Sequence, residues 1–125
     1  MNFGIVTTWF ERGAAYVSKQ FEDVLSIDNN VFIYARGGEA YAKGDPKWDK
    51  PNVTWGKRSL LFGPTQINIK HLQKWIKANS IEVLLFNEQH EWAPVIDCSR
   101  MDVITGAYID YYKKETVPLF GAYDF

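Results

Sequence analysis

The sequence predicts an α/β fold, a single Rossmann-like three-layer domain with a mostly parallel sheet. Short apolar runs rich in β-branched residues recur along the chain, and segments with helical spacing of apolar residues lie between them. Such alternation is typical of a parallel sheet covered by helices on both faces. The 125 residues suffice for one such domain and are too few for two. The expected strand order is three-two-one-four-five.

The first part of the chain predicts a strand, a helix and a second strand. Residues 3–8 (FGIVTT) and 31–35 (VFIYA) are short apolar runs, typical of buried strands. Between them, helical spacing predicts a helix from Ala14 onward that carries Ser18 on a polar side. Its predicted apolar face consists of Val17, Phe21, Val24 and Leu25. Together these elements form a βαβ unit, whose crossover is expected to be right-handed.

The remaining elements follow the same alternation. A helix is expected to begin at Pro64 and Thr65, with Thr65 as its N-cap. Pro94 is expected to open a short helix, and residues 116–122 to form a last helical turn or two. The further strands are expected at residues 52–56, 60–62, 82–86 and 103–109.

Composition narrows the classes of function. The formal net charge of -1 provides no global basic field, so we expect no nucleic-acid partner. The one cysteine, Cys98, cannot form an internal disulfide and is expected to be a small buried residue. The chain begins without the pattern of a signal peptide, and no apolar stretch is long enough to span a bilayer. The expected location is the cytoplasm.

The expected site lies beyond the carboxyl ends of the strands, where ligands bind in open α/β sheets. After the first strand, Gly13 and Ala14 would let a ligand approach the backbone at a helix start, where free N–H groups attract anions. An ordinary tight turn explains this loop equally well. After the second strand, Arg36 could hold an anion or a hydroxyl-rich ligand. Here a flexible turn at Gly37 and Gly38 is the favoured interpretation.

Two further loops carry polar and aromatic side chains. Glu88, His90 and Trp92 follow the fourth strand and offer hydrogen-bonding groups, bases and a stacking surface. A metal site there is less favoured, because no established ligand spacing is present. Asp110 follows the fifth strand and could accept a proton or position a hydroxyl, or simply form a turn. Tyr111 comes next to it. No cofactor is expected.

Basic residues are concentrated near two tryptophans and along one helix. A mixture of lysine and tryptophan can rest on an anionic membrane surface, but a solvated surface is the favoured interpretation of both groups. Such a contact would place the protein at the inner face of the membrane. The first group consists of Lys43, Lys47, Lys50, Lys57 and Arg58 around Trp48 and Trp55. The second group is the helical stripe of Lys70, Lys74 and Lys77.

Four segments carry a resemblance to a known family. They are residues 4–25 (GIVTTWFERGAAYVSKQFEDVL), 31–39 (VFIYARGGE), 83–92 (VLLFNEQHEW) and 104–112 (ITGAYIDYY). In these segments the chain resembles the N-terminal domain of GT-B glycosyltransferases, in the large retaining family (family 4-like) that makes bacterial surface polysaccharides. The resemblance covers nearly the whole chain, and its first segment is the most specific.

The resemblance implies a function for the whole chain and roles for several residues. In that family an N-terminal domain holds the acceptor, and a C-terminal domain binds the nucleotide sugar. Residues 1–125 would be the acceptor-side domain alone, with little or no activity. The acceptor would be a glycan or a lipid-linked glycan. Gly13 and Ala14 would lie near the donor phosphates, and Asp110 would lie near the transferred sugar as the catalytic group. Many relatives have a histidine in that loop. The implied substrate-binding residues are Gly13, Ala14, Arg36, Glu88, His90, Trp92 and Tyr111.

Two other functions remain open at the level of sequence. One is a stand-alone flavodoxin-like binding module without catalysis, of which a receiver domain is one version. A receiver would need clustered acids at the end of the first strand, where this chain has Thr7, Thr8 and Trp9. The other is a regulatory or assembly domain that binds only protein.

Overall fold

The computed structural model describes residues 1–37, 42–57, 66–110 and 112–125, and within these ranges five parallel strands form one sheet. The strands are β1 (Asn2–Thr7), β2 (Asn30–Ala35), β3 (Val53–Trp55), β4 (Val83–Asn87) and β5 (Ile104–Tyr108). The helices are α1 (Gly13–Leu25), α2 (Ile69–Ala78), α3 (Ala93–Ser99) and a 3₁₀ helix at Lys114–Ala122. The strand order is β3-β2-β1-β4-β5, so the predicted α/β class and strand order are confirmed.

Helices cover both faces of the sheet, as the alternation of elements predicts. Adjacent residues of a strand point to opposite faces. Thus Ile5 and Val6 of β1 belong to two separate hydrophobic clusters. The cluster around Val6 includes Trp75 of α2 and Val95 of α3, and the cluster around Ile5 includes Ala15 of α1. The sheet is therefore the middle of three layers.

The buried side of α1 differs from the predicted apolar face. Val24 is 67% exposed, whereas Ser18, predicted on the polar side, is fully buried. The prediction was wrong at these positions because two hydrogen bonds stabilise the buried serine. Its hydroxyl donates to Oγ1 of Thr7 at 2.7 Å and accepts from Nδ2 of Asn87 at 2.8 Å. These bonds turn Ser18 toward the sheet, and Val24 lies away from it.

The start of α2 also differs from the prediction. The helix begins at Ile69, and Asn68 is its N-cap, whose side chain accepts a hydrogen bond from the backbone N–H of His71 at 3.0 Å. The predicted cap, Thr65, lies outside the described residues. Asparagine is at least as good an N-cap as threonine. The strand predicted at 60–62 also lies outside the described residues, whereas the one predicted at 52–56 is confirmed as β3.

Trp48 belongs to the core, which the sequence interpretation did not anticipate. Its side chain is 1% exposed and packs edge-to-face on the equally buried Trp9, with ring centroids 5.3 Å apart. Nε1 of Trp9 donates to the backbone carbonyl of Trp48 at 2.8 Å. These contacts join the loop after β1 to the chain between β2 and β3. The ring of Trp48 is therefore not available to a membrane surface.

Candidate functional site

The first turn of α1 is open toward solvent. Gly13 is exposed, and a Cβ atom added to it would meet no other atom within 4 Å. Arg12 precedes it in an extended conformation, and its side chain makes no capping hydrogen bond to the helix. The first N–H groups of a helix lack partners within the helix and carry partial positive charge. The backbone at Gly13 is therefore open to solvent, which suits an approaching anionic group and an ordinary tight turn equally well.

A polar network lies beneath this turn and joins it to the end of β4. Nδ2 of Asn87, a fully buried residue, donates to the carbonyl of Ala14 at 2.8 Å and to Oγ of Ser18 at 2.8 Å. Ser18 in turn donates to Thr7 at the end of β1. Because buried polar groups are costly when unpaired, this network holds α1 in one position relative to the strand ends. The open helix start thus lies beside the loop that follows β4.

Arg36 connects the loops after β2 and β4. It is only 3% exposed, and its Nη1 donates to the backbone carbonyl of Asn87 at 2.8 Å and to Oε1 of Gln89 at 3.3 Å. Nε2 of Gln89 donates to Oε2 of Glu91 at 3.0 Å. Arg36, predicted as a residue that holds a ligand, therefore acts within the described structure as a brace between two loops of the site.

The glycine after Arg36 has a role within the chain. A Cβ atom on Gly37 would lie 2.7 Å from the backbone carbonyl oxygen of Lys57, closer than real Cβ atoms approach. The backbone at Gly37 is thus closely approached by the chain after β3. Gly38 and Glu39, the rest of this predicted loop, lie outside the described residues.

The loop after β4 exposes two of the three side chains that the sequence singles out, and Glu88 is half-buried. Glu88 has a φ of +53°, in the left-handed region that non-glycine residues seldom adopt. Such backbone is often found at binding and catalytic sites. His90 is exposed, and Trp92 is 43% exposed directly before α3. Gln89, between them, is buried and belongs to the brace with Arg36.

A cavity of about 310 Å³ lies between this loop and the chain after β5. It is lined by His90, Tyr112, Lys113 and Thr116. The structure therefore brings His90 next to the segment after the fifth strand. Asp110 is exposed on a bend after β5, and the described lining includes neither it nor Glu88. Tyr111 lies outside the described residues.

A surface cluster fixes the loop before α1. Nζ of Lys47 lies 2.8 Å from Oε2 of Glu11, and the hydroxyl of Tyr16 donates to Oε1 of the same carboxylate. The hydrogen bonds from Lys47 and Tyr16 hold the pKa of Glu11 below its ordinary value. Lys19 stacks over Trp9 and Trp48, with Nζ 5.2 Å and 4.9 Å from their ring centroids. These contacts leave the adjacent Gly13 open while holding the loop in place.

The described residues offer little for metal or thiol chemistry. Among them, no three His, Cys, Asp or Glu side chains are grouped as metal ligands. Cys98 is fully buried as predicted, and burial raises the pKa of its thiol to about 12, so the reactive thiolate does not form at neutral pH. None of the described helices combines the length and apolar character needed to cross a membrane.

Comparisons of the chain with models of protein families, with curated proteins and with solved structures give no match.

Sequence reasoning missed the buried polar residues under the site. Ser18 was predicted on the polar side of its helix, and no buried role was predicted for Asn87 or Gln89. One signal was available: Thr7 and Thr8 are polar residues at the end of an otherwise apolar strand. Polar side chains at such a buried position need partners, and the helix and strand packed beside them must supply those partners.

Proposed function

We propose that the chain is the acceptor-side domain of a glycosyltransferase that transfers a sugar from a nucleotide sugar to a glycan or lipid-linked glycan. The observation that carries this proposal is the contact of Asn87 with the first turn of α1. It joins an open helix start, suited to phosphate, to a loop with exposed histidine and tryptophan side chains, suited to a sugar. A transferase must hold these two kinds of group side by side.

Each part of the site has a role in this proposal. Gly13 and Ala14 approach the diphosphate of the donor through their backbone N–H groups. Trp92 stacks on the apolar face of a sugar ring, and His90, in the cavity beside Tyr112, binds hydroxyl groups of the acceptor. Arg36 keeps the loops after β2 and β4 at a fixed separation.

Asp110 is the proposed catalytic group. A second α/β domain is proposed to supply most of the donor site. Glycosyl transfer develops positive charge at the anomeric carbon, and a nearby carboxylate stabilises that charge. The exposure of Asp110 after β5 leaves its carboxylate accessible to a substrate. The 125 residues alone are then expected to bind acceptor, and to bind nucleotide sugars weakly or not at all.

A binding experiment tests the division of roles. Backbone amide NMR spectra of the chain are recorded during titration with oligosaccharides, and separately with uridine and guanosine diphosphate sugars. We expect a matching oligosaccharide to shift signals of residues 88–92 and 112–116, and a nucleotide sugar to shift only residues 12–15 at millimolar concentration. Replacing Trp92 by alanine should abolish the oligosaccharide shifts, whereas the same change at exposed Ile96, in the middle of α3, should not. Micromolar binding of a nucleotide sugar would contradict the proposal.

A further inference from the structure

A basic groove lies between the chain after β3 and the first turns of α2. It encloses about 210 Å³ and is lined by Lys57, Asn68, Lys70, His71 and Lys74. Lys57 follows β3 by two residues, so the groove opens at the same carboxyl edge of the sheet as the site described above. We refer to it below as the basic groove. It lies beside β3, at the edge of the sheet, and shares no lining residue with the cavity at His90.

The charged side chains in the described lining of the groove are all of one sign. The described lining contains three lysines and no carboxylate, and α2 has no acidic residue in its first turn. The positive end of the helix dipole adds to this field. Like charges at such distances repel one another, and a bound anion relieves that repulsion.

The histidine in the groove is held in a fixed orientation. Its Nδ1 lies 2.8 Å from the hydroxyl of Tyr34 on β2, so the ring stays against the sheet. Burial, followed by the charges of Lys57 and Lys74, lowers the pKa of His71 from its ordinary value of 6.5. The two lysines thus disfavour a positive charge on the ring.

A buried donor lies beside the same lysine and histidine. A second depression, lined by Thr54, His71, Lys74, Trp75, Ala78 and Asn79, shares His71 and Lys74 with the basic groove. Trp75 is 4% exposed, and its Nε1 atom donates to no acceptor among the described residues. This N–H group is itself buried and Trp75 does not line the basic groove, so a ligand in the groove does not reach it.

We propose that the basic groove binds the phosphate group of an anionic ligand, a phosphomonoester or a diphosphate. Lys57, Lys70 and Lys74 supply the charge, and His71 supplies a hydrogen-bond donor. The volume suits one or two phosphate groups, because pockets for drug-sized ligands are larger, at about 300–1,000 Å³. If the ligand is the sugar acceptor, a step that rests on the proposed function, then the acceptor is phosphorylated or linked through a diphosphate.

The test measures pyrophosphate binding by the chain and its variants. Inorganic pyrophosphate is titrated into the chain, and into Lys74→Gln, Lys57→Gln and Lys77→Gln, with NMR shifts of residues 68–75 as the signal. Lys77 is the matched control, because it lies exposed in the last turn of the same helix and does not line the groove. We expect each groove variant to weaken binding by about tenfold, as for the loss of one charge-assisted hydrogen bond, and the control to leave it unchanged.

Further arms distinguish the source of the phosphate. Glucose 1-phosphate represents a soluble ligand, and phosphatidylcholine vesicles with and without phosphatidic acid represent a lipid headgroup. Binding of glucose 1-phosphate or of the phosphatidic acid vesicles supports the site if Lys74→Gln weakens that binding and pyrophosphate competes with it. The ligand that binds in this way identifies the source of the phosphate. An equal loss in the Lys77→Gln control, or no pyrophosphate binding up to 10 mM (about 3 kcal/mol of standard binding free energy), overturns the proposal. Neither result affects the oligosaccharide test of Trp92, so the two proposals fail separately.

Discussion

Nη1 of Arg36 donates a 2.8 Å hydrogen bond to the backbone carbonyl of Asn87, and this bond joins the loops after the two strands that flank β1. The chain leaves β1 between these loops to enter α1. Arg36 therefore fixes the width of the gap between these two loops, from which a ligand would approach the open start of α1. The bond connects the stability of the fold to the geometry of the site.

Replacing Arg36 by methionine should destabilise the protein. Methionine fills much of the same volume but leaves the Asn87 carbonyl and the Gln89 side chain without their buried donor. We expect a loss of about 2–3 kcal/mol in the free energy of unfolding, as for a buried hydrogen bond to a charged group. Urea denaturation measures it. Exposed Arg100→Met is the control, expected within about 0.5 kcal/mol of the wild type. A similarly small effect at Arg36 would show that the brace is unimportant.

Replacing Gly13 by alanine should separate stability from binding. A Cβ atom at this position meets nothing in the protein, so the change should be neutral or stabilise by up to about 1 kcal/mol. The same Cβ would obstruct a phosphate that approaches the backbone. We expect weaker nucleotide-sugar binding by the complete gene product with an unchanged or higher melting temperature. Gly121→Ala, also in open space, is the control. Unchanged binding in the Gly13 variant would assign the loop to an ordinary turn.

Stability should fall below neutral pH because of His71. Its pKa is lower in the folded protein than the ordinary 6.5, so the unfolded chain binds more protons in the interval between the two values. The contribution of neutral His71 to the free energy of unfolding is fully present above pH 6.5. It is lost as the pH falls from 6.5 through the pKa of His71 in the folded protein. The groups facing the ring are Tyr34 from β2, Lys57 after β3, and Lys70 and Lys74 on α2.

The check compares denaturation of the wild type and His71→Gln between pH 7.5 and 5.5. The variant should lose stability less steeply, because it has no proton to gain at this position. Pyrophosphate in the basic groove should raise the pKa of His71, as measured by NMR of the ring. An equal change of the free energy of unfolding with pH in the two proteins would show that His71 does not cause the loss of stability below neutral pH.

Replacing Asp110 by asparagine should impair catalysis and leave stability unchanged. Asp110 is exposed, so its carboxylate contributes little to folding. Loss of one preorganised stabilising group lowers turnover by about 10²–10³-fold. His90→Ala should instead raise KM for the acceptor, because His90 lines the cavity beside Tyr112. Steady-state kinetics and thermal melting of the complete gene product measure both effects. Near-normal turnover in the Asp110 variant would redirect the search to Glu88 and Glu91.

The sequence predicts the sheet well because apolar runs report burial directly. The strands predicted at residues 31–35 and 82–86 and the order of the strands follow from that pattern. Ser18 and Trp48 were misjudged because each is buried through a partner distant in the sequence. Local periodicity cannot show that Asn87 reaches Ser18, or that Trp9 packs on Trp48. The start of α2 was misplaced because two good capping residues lie three positions apart.

The most direct test of the proposed function is sugar transfer by the complete gene product. Radiolabelled nucleotide sugars are incubated with it and with candidate glycan or lipid-linked acceptors, and labelled product is separated and counted. We predict transfer from one nucleotide sugar to an acceptor, abolished or strongly reduced by Asp110→Asn and by Trp92→Ala but not by Lys77→Gln. If the folded gene product neither transfers nor hydrolyses any common uridine or guanosine diphosphate sugar, the glycosyltransferase assignment is contradicted, and the flavodoxin-like binding module becomes the better account of the fold.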